Sequence, residues 1–88
     1  RVVIWGAGSK GVAFLTTLEL GRQNVEYAVD INPHRRGAFM PTTGQEIVGP
    51  DQLPGLRPDV VIVMNPIYKN EIEAELERQS LRPEVLTV

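Results

Sequence analysis

The chain of 88 residues is 42% hydrophobic and 23% charged, with a net charge of −2 and no cysteine. A chain this short buries roughly 60–65% of its unfolded surface, so one domain spanning residues 1–88 around a single modest core is expected. The charge balance argues against a nucleic-acid binder, no apolar run nears the ~20 residues of a membrane helix, and the lack of cysteine removes disulfide and thiolate chemistry.

Along the chain, Val2–Trp5 is a continuous apolar run, as in a strand covered on both faces of a parallel sheet. From Ser9 to Leu20, Val12, Leu15 and Leu18 recur at helical spacing, and Gly21 offers a stop. Ala13 and Phe14 lie off that stripe, which suggests a helix covered on a second side. Residues 25–29, VEYAV, read as a second strand ending at Asp30. Residues 31–46 carry Pro33, Gly37, Pro41 and Gly44, too many breakers for a crossover helix, so a loop is expected in its place. EIVG at 46–49 suits a short edge strand and PDQL one helical turn. Residues 59–64, DVVIVM, are the most strand-like segment. They lead into a helix whose narrow face is marked by Tyr68, Ile72, Leu76 and Gln79, with Glu71, Glu73, Glu75 and Glu77 giving it a wet outer side. EVLTV at 84–88 closes as a last strand.

Strands alternating with helices imply a parallel sheet with right-handed crossovers. The expected fold is α/β: a Rossmann-like three-layer domain with strand order 3-2-1-4-5 and one crossover helix reduced to a loop.

Between the first strand and first helix stands Gly6-Ala7-Gly8-Ser9-Lys10-Gly11, a G-x-G-x-x-G pattern. In this context Gly6 permits a tight turn, Gly8 lets a phosphate near the backbone, and Gly11 allows close helix–sheet packing. The helix behind presents free N–H groups and about half a positive charge to an anion. Asp30 comes about 20 residues on, where a carboxylate can accept hydrogen bonds from ribose hydroxyls. Ser9 and Lys10 add a hydroxyl and a cation. The plainer alternative is that the glycines only make the turn and Lys10 is solvated.

Asn65 and Pro66 read as a helix cap and first helical residue. Their strand should lie beside the first one, which puts Asn65 and Tyr68 at the switch-point crevice where open α/β sheets bind ligands. Tyr68 can stack on a base or begin the buried face of its helix. In DINPHRRG, Arg35 and Arg36 can clamp a phosphate or a neighbouring domain's carboxylate, but a solvated loop is the expectation, and His34 is an exposed loop residue. No metal cluster, nucleophile–base pair or paired-carboxylate centre is evident, so no catalytic residue is assigned.

Taken together, Ile4–Gly11, Asp30–His34, Gly49-Pro50 and Pro58–Tyr68, with VMNPIY the most specific block, resemble the C-terminal domain of bacterial S-adenosylmethionine-dependent C-methyltransferases, a group that includes enzymes acting on nucleotide-linked deoxysugars. The resemblance spans essentially the whole chain, and residues 38–46, AFMPTTGQE, depart from it. It implies a fragment of a longer cytoplasmic chain, in keeping with a first residue other than Met. Upstream would lie a structural zinc region and a methyltransferase domain that binds S-adenosylmethionine and performs the catalysis. This domain would bind no cofactor and be inactive alone. It would help to hold a nucleotide-linked sugar or similar phosphorylated small molecule through Gly6, Gly8, Ser9, Lys10, Gly11, Asp30, Asn65 and Tyr68. The alternatives are an NAD(P)-binding module of an oxidoreductase and a Rossmann lobe that binds nothing.

Overall fold

The computed structural model describes residues 1–88. Five parallel strands form one sheet: β1 (Val2–Trp5), β2 (Tyr27–Val29), β3 (Glu46–Val48), β4 (Val60–Val63) and β5 (Glu84–Thr87). Their order is β3-β2-β1-β4-β5, the arrangement read from the sequence. Val3 pairs with Tyr27 on one side and with Val61 on the other, so β1 is central. A central parallel strand must be apolar on both faces, and Val3, Ile4 and Trp5 are all buried.

Two clusters share the core, one on each face of the sheet. On one face, Val3, Trp5, Val61 and Val63 pack with Ile72 and Leu76 of α3 (Lys69–Arg78) and Leu53 of α2 (Leu53–Leu56). On the other, Ile4, Ala28 and Ile47 pack with Leu15 of α1 (Ser9–Thr17) and with Met40. Met40 lies in the loop that replaces the second crossover helix and is only 2% exposed. That loop is more ordered than its breakers suggest. Phe39 bridges Glu46 in antiparallel sense, and Met40 N–H donates to the Gln45 carbonyl at 2.7 Å. Gln45, fully buried, donates from Nε2 to the Leu20 carbonyl at 3.0 Å. The Met40 side chain thus fills the position of a missing helix, while the backbone of residues 37–39, bonded to Ile47, covers the outer edge of β3.

Several boundaries differ from the sequence reading. Helix α1 stops at Thr17 rather than Leu20, and its last turn exposes Leu18, which is 56% accessible. Gly21 is not the stop. Glu19 takes a left-handed φ of 54°, its N–H donates to the Thr16 carbonyl, and that of Leu20 to the Leu15 carbonyl. This is the Schellman closure, achieved without glycine because the Leu15–Leu20 pair caps it. Ser80, at φ 60°, closes α3 in the same way, with Leu81 bonded back to Leu76. The second side of α1 is covered only in part: Ala13 is exposed, while Phe14 is half-buried against the core. Strand β2 begins at Tyr27 rather than Val25, although Val25 is buried.

A left-handed residue with a Cβ costs about 1–2 kcal/mol of local strain. Glu19→Gly and Ser80→Gly should each raise stability by about 0.5–1 kcal/mol, the greater freedom of glycine in the unfolded chain offsetting part of the relief. Urea unfolding curves of the two variants against the parent protein would measure this, and a loss of stability in both would contradict the cap assignment.

Candidate functional site

Adjacent strands β1 and β4 send the chain to opposite faces of the sheet, α1 to one and α3 to the other. The crevice between the two departures opens at the carboxyl ends of the strands. A cleft of ≈ 820 Å³ lies there. Gly6, Gly8, Ser9, Lys10, Gly11, Asp30, Asn65 and Tyr68 all line it, so the fold brings all eight residues picked from the sequence to one place.

The floor is tightly made. Gly6 has φ 125°, and a Cβ there would stand 3.0 Å from Cβ of Met64, so both conformation and space demand glycine. A Cβ on Gly11 would collide with the Gly6 carbonyl oxygen and lie 3.2 Å from Ile4 Cδ1. Gly11 therefore sets how closely α1 approaches the sheet. Gly8 differs. Its φ of −80° and ψ of −160° suit any residue, and it caps α1 without a side-chain bond. A Cβ there would lie 3.2 Å from Nη1 of Arg35. The space above Gly8, expected to admit a phosphate, holds a guanidinium.

Asp30 is 7% exposed and its carboxylate is heavily engaged. Oδ2 accepts from Ala7 N–H at 3.0 Å and from Arg35 Nη1 at 3.0 Å, and Oδ1 accepts from Asn32 N–H at 2.8 Å. Burial works against the charge, but the Asn32 and Ala7 amides and the Arg35 guanidinium outweigh it and hold the carboxyl below its usual range. The solvated-loop reading of Arg35 and Arg36 is thereby corrected. Arg35 pairs with Asp30, and Arg36 lies against Gly49 and pairs with Asp51 at 3.0 Å. A nearly buried carboxylate and an acidic residue opening a helical turn draw in both cations. His34 stays exposed.

On the opposite wall, Asn65 Oδ1 accepts from Ile67 N–H at 3.3 Å and caps the 3-10 turn Pro66–Tyr68. Tyr68 is 51% exposed and faces the cleft instead of starting the buried face of α3. Glu71, Glu75 and Arg78 continue that wall, together with Asp51 and Arg36. The sequence reading assigned Glu71 and Glu75 to a wet outer side. The signal was present: Tyr68, Glu71, Glu75 and Arg78 are spaced three and four apart, which aligns them on one helical stripe. Arg78 and Gln79 hydrogen-bond Glu75 and hold its carboxyl at about 2, so it is ionised at neutral pH. Neither Lys10 nor Glu71 joins an ion pair. The cleft therefore offers a free cation beside the α1 N-terminus and a free carboxylate across from it. No three histidine, cysteine or carboxylate residues cluster as metal ligands, and no helix is long and apolar enough to cross a membrane.

Because the pKa of Asp30 is depressed in the folded state, its contribution to stability is complete above the unfolded value of about 4 and fades as pH falls through the folded value. Asp30→Asn should lose about 1–3 kcal/mol at pH 7, with the gap to the parent protein narrowing toward pH 3. Urea unfolding at a series of pH values tests this, and a gap independent of pH would show that the charge plays no part.

The domain model for the C-methyltransferase C-terminal domain matches residues 1–82. No curated protein sequence matches the chain closely. Among solved structures, UDP-D-quinovosamine 4-dehydrogenase from Vibrio fischeri aligns with a TM-score of 0.75 at 24% identity, over 99% of this chain and 75% of that one. RSP, a Rex-family repressor, aligns at TM-score 0.68 and 16% identity, over 99% of this chain and 51% of its own. RSP in complex with β-NADH gives 0.63 and 17%, over 99% of this chain and 52% of its own. At these identities the likeness is one of fold: Rossmann-like, with the strand order described above. With the domain model matched across residues 1–82, the chain belongs to the C-methyltransferase C-terminal domain family.

Proposed function

We propose that this domain holds the methyl acceptor of a C-methyltransferase, and that the acceptor is a nucleotide-linked sugar or a similar phosphorylated small molecule. The observation that carries the reading is the convergence of the glycine turn, Ser9, Lys10, Asn65 and Tyr68 on one large cleft at the carboxyl ends of β1 and β4. The first-turn N–H groups of α1 have no partner within the helix. With Lys10 beside them they suit a diphosphate. Because Gly8 is covered, that diphosphate meets Ser9, Lys10 and Gly11 instead of passing over Gly8. Tyr68 offers an exposed ring to a base or sugar face. Free Glu71 can accept hydrogen bonds from sugar hydroxyls. A fold shared with a protein named for a UDP-linked sugar is compatible with this class of ligand.

Methyl transfer itself belongs, in this reading, to a methyltransferase domain elsewhere in the same protein, where S-adenosylmethionine supplies the methyl group and a structural zinc has its own ligands. The residues here bind and orient. Asp30 serves the turn rather than the ligand, since three of its acceptor positions are filled internally. Asn65 likewise shapes the rim through its cap.

Lys10→Ala in the full-length enzyme should weaken acceptor binding about tenfold, the equivalent of about 1.4 kcal/mol, which is typical of one charged hydrogen bond. Thermal stability should not change, since Lys10 makes no ion pair within the domain. Calorimetric titration with thymidine or uridine diphosphate sugars measures the effect. Acceptor affinity that is untouched in both Lys10→Ala and Tyr68→Ala would favour a lobe that binds nothing.

A further inference from the structure

We propose that Arg35 is a specificity-determining residue that closes this cleft to nicotinamide dinucleotides, leaving it to ligands that do not need the end of β2. The inference deepens the acceptor-binding reading and rests on it for the identity of the admitted ligand.

A dinucleotide enters a Rossmann crevice by two contacts. Its pyrophosphate passes over a bare glycine, and its ribose hydroxyls bond a free carboxylate at the end of the second strand. Both elements are present in this sequence, as Gly8 and Asp30. One side chain removes both. Arg35 Nη1 lies where a ligand atom over Gly8 would lie, 3.2 Å from a Cβ built on that residue. The same nitrogen bonds Asp30 Oδ2 at 3.0 Å, on an oxygen that already accepts from Ala7 N–H. A carboxylate has about four acceptor positions. Ala7, Arg35 and Asn32 use three of them and leave a single position on Oδ1. A ribose diol, which needs two acceptors, cannot be held bidentately.

The placement of Arg35 is well supported. The Asp30 side chain is 10% exposed and that of Arg35 45%, so the ion pair spans the boundary between core and solvent. Withdrawal of the guanidinium would leave a nearly buried carboxylate with only two amides, a costly state. The backbone reinforces this: Arg35 N–H donates to the Asn32 carbonyl at 3.1 Å, and Asn32 N–H to Asp30 Oδ1. Cation and carboxylate therefore belong to one compact turn. Lys10, at the start of α1, and Tyr68 and Glu71, on the α3 wall, line the cleft and form no hydrogen bond or ion pair with Arg35.

The test uses full-length protein, with NADH as probe because its fluorescence reports binding without interference from the methyl donor. The parent protein should show no saturable NADH binding at millimolar concentration. Arg35→Ala should bind NADH at least tenfold more tightly. It should not gain affinity for NADPH, because the uncovered Asp30 repels a 2′-phosphate. If Arg35→Ala fails to fold, Arg35→Gln, which keeps a neutral donor to Asp30, carries the same comparison with a smaller gain. Unchanged NADH affinity in the folded variant, an equal gain for NADPH, or tight NADH binding by the parent protein would each overturn the proposal. Parallel titration with a sugar diphosphate keeps the two readings apart. Failure of the parent protein to bind it would remove the acceptor-binding reading, while the NADH gain in the variant would still establish the role of Arg35.

Discussion

The arrangement at the carboxyl end of the sheet depends on one carboxylate. Asp30 stands at the end of β2 and accepts the Ala7 N–H from the turn after β1, so it joins two neighbouring loops at their origin. The same group holds Asn32 and Arg35, fixing the path of the chain as it leaves β2. Burying a carboxylate is costly unless it is bonded. Three charge-assisted hydrogen bonds meet that demand, and in doing so they specify a single geometry for both loops.

The consequence for the cleft is a division of labour. One side, built on the glycine turn, carries the free cation and the helix terminus. The other, built on the stripe from Tyr68 to Arg78, carries an exposed ring and a free carboxylate. Most of the remaining charges in the cleft are paired among themselves: Arg36 with Asp51, Arg78 with Glu75. Such pairs set the shape of the walls more than their charge. A ligand with a negative and a hydroxyl-rich end has one favourable orientation in this space, as the proposed acceptor-holding role requires.

Much of this was legible in the sequence because its causes are local. The apolar stretches VVIW and VVIVM gave β1 and β4, the shorter VEYAV, EIVG and EVLTV gave the other three strands, and the alternation with helical segments pointed to the sheet order. Gly6 and Gly11 carry their reasons with them, a positive φ in one case and a backbone collision in the other. Long-range causes were not legible. Nothing within residues 31–46 indicates that Met40 fills the place of a helix, because that depends on space left between α1 and β3. The end of α1 was misplaced because a hydrophobic pair, Leu15 and Leu20, can enforce a left-handed Glu19 in the absence of glycine. Arg35 and Arg36 read as solvated because their partners, Asp30 and Asp51, are set by tertiary placement. Tyr68 was read at the crevice, and Ile72 and Leu76 on the buried face, but Glu71 and Glu75 were read only as part of a wet outer side, because whether their stripe borders the cleft depends on where the sheet sets α3.

The contact between Gly6 and Met64 has a bearing on how anything reaches the cleft. The Met64 N–H is bonded to the Trp5 carbonyl, and its side chain packs where a Cβ on Gly6 would stand. The two walls are therefore joined at their base by a hydrogen bond and a close contact, which opposes a hinge-like opening of the gap. Access falls instead to long side chains swinging at the rim, a matter of nanoseconds or less rather than the microseconds to milliseconds of a moving lid. Entry and exit of a small molecule would then be set by desolvation and contact strength, and not by any slow rearrangement of the backbone within this domain.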